Sequence, residues 1–300
     1  MLDIGIVIVN WNTRDLLRDC LKSVAASEGV SYKVVVVDNH SADSSVEMVR
    51  GEFPEVIVIA NLDNVGYPKA NNQGFRALGL DQGCGDDVPR YALALNPDTV
   101  LPPTALRDMV AYMDADEKMG IAGPKLIMLD GNLDIACRRS FPTPEVSFYK
   151  MVGLSALFPR SRRFGRYNLS FLDPDIETEV DSVVGAFMMV RREAIRRVGL
   201  FDETYFMYGE DLDWAFRIKQ AGWKVMYNPR VSVTHVKRAA SRQSSRAQRE
   251  FYRAMLIFYR KHYRATTPWW LHSLILVGLA LKGGRSLWHD LRNPTLAGSN

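Results

Sequence analysis

The chain has 300 residues, a net charge of +4, a hydrophobic fraction of 47% and a charged fraction of 24%. This balance excludes a disordered or fibrous chain and allows one large domain, or one domain with an appendage. Cys20, Cys84 and Cys137 are odd in number, far apart and form no CxxC pair, so they point to a reducing compartment rather than a disulfide framework or a zinc site. Met1-Leu2-Asp3 leads directly into an apolar run, with no basic region or cleavage site, so no signal peptide is expected. No internal repeat is present.

Residues 4–9 form a short apolar run rich in β-branched side chains, which predicts a strand buried on both faces. Asn10-Trp11-Asn12 ends it, and Thr13 is placed to cap a helix over 14–26. A second buried strand is predicted over 33–37, ending in Asp38-Asn39, with a helix starting at 41–43. Residues 56–60 read as a third strand, 67–80 as a helix and 91–95 as a fourth strand ending at Asn96-Pro97-Asp98. Strands alternating with helices imply a mainly parallel sheet, whose ligands bind beyond the carboxyl ends of the strands. Asn10, Asp38, Asn61, Asn64 and Asp98 all fall at such ends. No GxGxxG follows the first strand and no GxxxxGK(S/T) occurs, so a dinucleotide fingerprint and a Walker loop are both absent.

Beyond Leu101 the pattern mixes. A helix is predicted over 104–115 and a strand over 120–128, interrupted by Pro124. Residues 137–179 read as irregular, with a basic cluster at Arg160, Arg162, Arg163 and Arg166. A strand over 180–190 contains Gly185-Ala186, where a ligand or another backbone can approach closely. A short helix follows over 191–198, then strands over 224–227 and 231–236. Residues 205–223 carry the densest chemistry. Gly209 turns the chain, Glu210, Asp211 and Asp213 open a helix, and Gly222 stops it after about 221. Such acids cap free N–H groups, or one of them serves as a positioned general base. Asp213 is spaced to pair with Arg217 on a solvent or site face.

VIVNWN at 7–12, DNHSAD at 38–43, NVGYPKANNQG at 64–74 and LNPD at 95–98 are followed by VVGAFMMVRREAIRRVGLFDE at 183–203 and YGEDLDWAFRIKQAGW at 208–223. In this order, over residues 1 to about 241, they resemble glycosyltransferase family 2 with the GT-A fold. Within that family they look most like bacterial rhamnosyltransferases of cell-surface polysaccharide assembly. The resemblance implies an α/β domain over 1–241 with a mainly parallel central sheet; residues 242–300, beyond it, read as a helical, basic and Trp-rich membrane-associating extension. It also implies inverting sugar transfer from a nucleotide diphosphate to an acceptor hydroxyl.

By the same resemblance, Asp211 is the catalytic base, with Glu210 as its neighbour. Asp38 meets the nucleotide base, and Asn10, Asn64, Gly66, Asn71 and Asn96 line the donor site. Gly185, Asp213 and Trp214 lie on the acceptor side. Asp98 is the metal residue, with Asn96 replacing the first acid of the usual Asp-x-Asp, so the implied Mg²⁺ or Mn²⁺ is held mainly by the donor's phosphates. His235 is a second metal ligand or a core histidine. Lys237 and Arg238 replace the glycines that commonly follow it and are placed to contact phosphate.

Residues 237–264 carry nine Lys or Arg and one acid, Glu250. Arg242, Arg246, Arg249, Arg253, Arg260 and Arg264 fall on one helical stripe, which predicts an interfacial helix on an anionic leaflet or a solvated basic face of a packed helix. Pro268 breaks it. Residues 269–281 are nearly all apolar but too short and interrupted for a confident span, and their paired tryptophans fit the headgroup region. No nucleic-acid recognition motif accompanies the basic stripe. The expectation is a cytoplasmic enzyme, peripheral to the inner face of the plasma membrane. It transfers L-rhamnose from dTDP-L-rhamnose to a polyprenyl-diphosphate-linked saccharide, and a homo-oligomer is compatible with it. A UDP-hexose donor and a non-catalytic nucleotide-sugar or membrane scaffold are the alternatives. Asp38, Asp98 and Asp211 together argue against the scaffold.

Overall fold

In the computed structural model, which describes residues 2–82, 85–236, 245–284 and 287–292, the apolar runs form the centre of one sheet. β1 (Ile4–Asn10), β2 (Tyr32–Asp38), β3 (Ile57–Ala60) and β4 (Tyr91–Leu95) alternate with α1 (Arg14–Ala25), α2 (Ser45–Glu52) and α3 (Tyr67–Ala77). β5 (Thr99–Val100), α4 (Ala105–Asp114), β6 (Met119–Met128), α5 (Pro144–Met151), α6 (Leu154–Leu157) and β7 (Thr178–Glu179) follow. Then come β8 (Phe187–Arg191), α7 (Arg192–Val198), α8 (Glu210–Gln220), β9 (Lys224–His235), α9 (Ser245–His262), α10 (Trp269–Gly283) and α11 (Trp288–Arg292).

The strand order is β3-β2-β1-β4-β8-β6-β9-β5, with β7 on β9. β1 pairs in parallel with β2 and β4, and β6 with β9, while β8 is antiparallel to β4 and β6. β8 therefore starts where β4 ends, and Gly185 and Ala186 arrive beside Asn96; the Asn96 N–H donates to the Ala186 carbonyl at 3.0 Å. β1 and β4 are buried throughout, which explains their unbroken apolar character. α3 lies close on the sheet because Gly74 has no side chain; a Cβ there would meet Val7 at 2.5 Å.

Several elements differ from the sequence expectation. The helix expected from 41–43 begins at Ser45, because Ser41 and Asp43 turn back to bond Asn10 and the Arg14 N–H. The stretch read as irregular contains α5 and α6; Thr143 caps α5 by accepting from the Val146 N–H, and Pro144 occupies its first turn. The strand expected over 180–190 is ordered as β8 only from Phe187, and the two strands expected over 224–236 are one, β9. β5, too short for periodicity to reveal, pairs with the end of β9.

α9 is fastened to the body of the sheet domain. Ala254 and Ile257 pack on Tyr205, and Phe258 packs on Phe141 and Phe216. This packing engages part of the arginine stripe. Arg260 donates to the Asp290 and Leu291 carbonyls at 3.0 and 2.7 Å, Arg253 to the Thr204 carbonyl at 3.3 Å, and Arg249 faces Asp290 at 3.7 Å. Arg246 stacks on Phe206. Arg253 thus holds the loop before α8 and Arg260 holds α11, while Arg246, Arg249 and Arg264 keep an exposed basic surface. Arg242 and Cys84 lie outside the described residues. No helix among the described residues is long and apolar enough to cross a membrane.

Candidate active site

The polar residues converge along the edge formed by the carboxyl ends of β1, β2, β4, β6 and β9 and the start of β8. At the β1–β2 end, Asp38 is buried; it accepts from the Ser41 N–H and from Asn10 Nδ2, both at 2.8 Å. Asn10 is fully buried, and its Oδ1 accepts from Thr13 at 2.6 Å. Its expected donor contact is therefore corrected: Asn10 fixes the Asp38 carboxylate from behind. Asn64 accepts from the Gly66 N–H at 3.1 Å and shapes the loop. Gly66 adopts φ +90°, and a Cβ there would meet the Phe206 carbonyl oxygen at 2.6 Å, so the loop needs glycine for both reasons. Asn71 is fully buried inside α3 rather than open to the cleft; its Nδ2 donates to the Tyr67 carbonyl, and its Oδ1 is without a partner among the described residues.

At the β9 end, His235 lies between two carboxylates. Its Nδ1 is 2.8 Å from Asp134 Oδ2 and its Nε2 is 3.3 Å from Asp98 Oδ1. Burial alone would lower this imidazole, but hydrogen bonds and charge from Asp134 and Asp98 outweigh it and raise His235 to about 9. Asp98 is the more exposed partner, at 21% of its side chain. Among the described residues no three His, Cys, Asp or Glu side chains are grouped to hold an ion by themselves. The Asp98 and His235 donor atoms nevertheless span a distance close to the ~3 Å expected for adjacent ligands of an octahedral ion with ~2.1 Å bonds. One carboxylate and one imidazole would fit a divalent ion that leaves its other positions to further ligands. Asp134 then acts from behind, orienting the ring through Nδ1. Lys237 and Arg238 lie outside the described residues.

Between these ends stands the start of α8. Gly209, at φ +78°, turns the chain, and the first turn is buried. Asp211 Oδ2 accepts from Arg139 Nη2 at 2.6 Å and from the Gly185 N–H at 3.1 Å, and Oδ1 accepts from the Leu212 N–H at 2.7 Å. Arg139 also donates to the Val183 carbonyl at 2.9 Å. Tyr67 Oη donates to the Gly185 carbonyl at 2.9 Å. Burial, with the charges of Glu210, Asp211 and Asp98, pushes this phenol well above its usual range, so Tyr67 stays protonated between the two ends of the site. Glu210 is buried with Oε2 unpartnered among the described residues, and burial with the adjacent Asp211 charge raises its carboxyl to about 8. At neutral pH this holds Glu210 mostly as the neutral carboxyl.

Two expected acceptor-side residues are corrected. Asp213 is fully buried and faces α9, bonding Arg217 at 2.8 Å, Lys261 at 2.8 Å and His262 at 2.7 Å. Trp214 is fully buried between Phe201 and Phe75, with Nε1 donating to the Gly199 carbonyl. Asp213 lies two positions after Asp211 and so points to the opposite side of α8; Glu210, Asp211 and Gly185 remain together at the sheet edge. Sequence reading missed Arg139, Asp134 and Tyr67. A pair of arginines within an otherwise irregular run was the one available signal for Arg139; Asp134 had none.

Residues 3–253 match the family described as "Glycosyltransferase like family 2". The chain is 28% identical over 234 residues to an N-acetylglucosaminyl-diphospho-decaprenol L-rhamnosyltransferase of Mycobacterium tuberculosis, covering 77% of this chain and 75% of that one. It is 27% identical over 242 residues to Rhamnosyltransferase WbbL of Escherichia coli, covering 77% and 82%. A Haloferax volcanii protein, Low-salt glycan biosynthesis hexosyltransferase Agl10, is 26% identical over 73% of this chain and 62% of that one. The solved structure of GalNAc-T7 with UDP, GalNAc and Mn²⁺ superposes with a TM-score of 0.64 at 16% identity, covering 97% of this chain and 53% of that one; this shows the shared GT-A fold. Family match, fold and a carboxylate-lined sheet edge agree, and the chain belongs to glycosyltransferase family 2 and is a glycosyltransferase.

Proposed function

We propose that this glycosyltransferase moves L-rhamnose from dTDP-L-rhamnose, with inversion, to a hydroxyl of a polyprenyl-diphosphate-linked saccharide. The observation that carries the reaction type is the placement of Asp211 beside Gly185, between the Asp38 pocket and the Asp98–His235 pair. The sugar and acceptor are taken from the names of the mycobacterial and enterobacterial relatives. The acceptor oxygen bonds to the anomeric carbon as the bond to the diphosphate oxygen breaks. The hydroxyl proton passes to Asp211 Oδ1, whose carboxylate is oriented by Arg139 and the Gly185 N–H through Oδ2. Asp38 meets the nucleotide base, held by Asn10. Asp98 and His235 would hold a divalent cation, which when bound neutralises charge on the departing diphosphate. With such an acceptor, the protein works at the inner face of the plasma membrane. Transfer assays across dTDP-rhamnose, UDP-glucose, UDP-galactose and UDP-N-acetylglucosamine test the donor. Preference for dTDP-rhamnose is expected, and preference for a UDP-hexose overturns the rhamnose assignment.

The cation carries its own prediction. His235 is protonated at pH 7, because its pKa lies near 9. To ligate, it must release that proton, so Mn²⁺ binding in the presence of dTDP should tighten as pH rises toward 9 and release about one proton per ion. Calorimetry in two buffers of different ionisation heat reads this directly. Zero proton release, or full activity in excess chelator, removes His235 and the cation from the reading.

A further inference from the structure

Exposed large apolar side chains are concentrated in two segments far apart in sequence. Phe148, Met151 and Leu157 on α5 and α6, and Trp270, Leu274 and Leu281 on α10, are all exposed, Leu157 at 69% and Leu281 at 80%. The two segments touch: Gly278 leaves room for Met151, whose Sδ would lie 3.2 Å from a Cβ there. The other side of α10 is filled, with Leu279 buried against Leu256 and Leu287. α10 therefore has protein on one face and needs an apolar medium on the other. Its 15 residues span about 22 Å, short of the ~30 Å hydrocarbon layer, so it can lie in a leaflet but not cross it.

Next to this face is a cavity of about 400 Å³ lined by Glu145, Val146, Tyr149, Arg162, Arg163 and Arg166. Tyr149 donates to Glu145 at 2.6 Å and accepts from Arg163 Nε at 2.6 Å. Among the described residues Arg162 and Arg166 have no ion pair. Three guanidinium groups against one carboxylate leave the cavity positively charged. On the side toward the sheet edge, Tyr167, the residue after Arg166, interacts with Arg139, which bonds Asp211. The apolar surface thus adjoins a cationic cavity, as a lipid chain adjoins its diphosphate.

We propose that the α5–α6–α10 face rests on the bilayer and that the arginine cavity binds the diphosphate of the lipid-linked acceptor at that surface. This rests on the acceptor class assigned above and adds where it is held. Arginine forks suit phosphate oxygens, and the apolar face accounts for the chain that a polyprenyl group must leave in the leaflet.

The full chain is tested by co-sedimentation with phosphatidylcholine vesicles doped with polyprenyl diphosphate, against vesicles brought to the same surface charge with phosphatidylglycerol. The protein should bind the diphosphate vesicles more tightly. Arg162→Gln/Arg163→Gln/Arg166→Gln should lose that preference, by about two powers of ten if each contact contributes as basic residues do at an anionic surface, with its melting temperature kept. Leu274→Ser/Val277→Ser/Leu281→Ser should lose binding to both vesicles. Equal binding of the wild type to both, preference retained by the arginine variant, or undiminished binding by the serine variant overturns the proposal. Because no transfer is measured, failure here is separate from failure of the rhamnosyl assignment, which the donor assays read.

Discussion

Asp211→Asn is expected to lower turnover by about two to four powers of ten, the range for loss of a positioned general base. The amide keeps the size of the carboxylate, and its oxygen can still accept from Arg139 or from the Gly185 N–H. dTDP affinity should stay near wild type, because Asp38 and Asp98 are untouched. Glu210→Gln is the control. Burial and the Asp211 charge raise the Glu210 carboxyl to about 8, so at pH 7 the wild type already carries a proton there and the amide changes little. In stability the two should separate as pH rises from the ordinary glutamate range to about 8, where the difference is complete. A carboxyl whose folded-state pKa is raised contributes stability that is present at low pH and lost as pH rises through the folded value. The wild type should therefore lose stability through pH 8, whereas Glu210→Gln should lose less. Wild-type-like turnover in Asp211→Asn removes Asp211 from the chemistry. A loss in Glu210→Gln as large as in Asp211→Asn transfers the base to Glu210.

The sheet was legible because β1, β2 and β4 are buried on both faces and so read as unbroken β-branched and apolar runs. The polar residues at their ends marked the edge where the site lies, and the glycine turn with three acids marked α8. The sequence was silent wherever a role depends on which way a side chain turns. Glu210, Asp211 and Asp213 look alike in the chain, yet one has its carboxyl pushed up by burial, one is bonded by an arginine 72 positions away and one is locked to a later helix. Asp134 and His235 meet only because β6 and β9 are parallel neighbours and the chain turns back after β6. The arginines of α9 show the expected helical spacing, but spacing cannot show that α11 would engage Arg260. α5 was readable after all: Thr143-Pro144-Glu145 is a capped helix start, obscured by the prolines and basic residues around it.

Asp213→Asn should destabilise the protein by roughly 3–5 kcal/mol, the scale for breaking a buried ion pair from one side. The carboxylate is fully buried and bonds Arg217 on its own helix, and Lys261 and His262 on α9. Burial would raise its pKa, but the His262 hydrogen bond and the charges of Arg217 and Lys261 outweigh that and hold it well below the usual carboxylate range. Removing the charge leaves Arg217 paired only with the Val198 and Leu200 carbonyls, and Lys261 with Asp202. The docking of α9 should loosen first, since two of the three partners of this carboxylate come from it. Hydrogen exchange should show faster opening of α9 amides than of β1 or β4, and the denaturant midpoint should fall. The pH dependence supplies a second arm. Because the folded-state pKa is depressed, the stabilisation is present above the ordinary aspartate range near 3.9 and fades as pH falls below it, so the wild type and Asp213→Asn should converge in acid. A variant within about 1 kcal/mol of the wild type at pH 7, the range typical of exposed pairs, would mean that aromatic packing of Phe258 and His262 on Phe216, and not this charge cluster, fixes α9 to the domain.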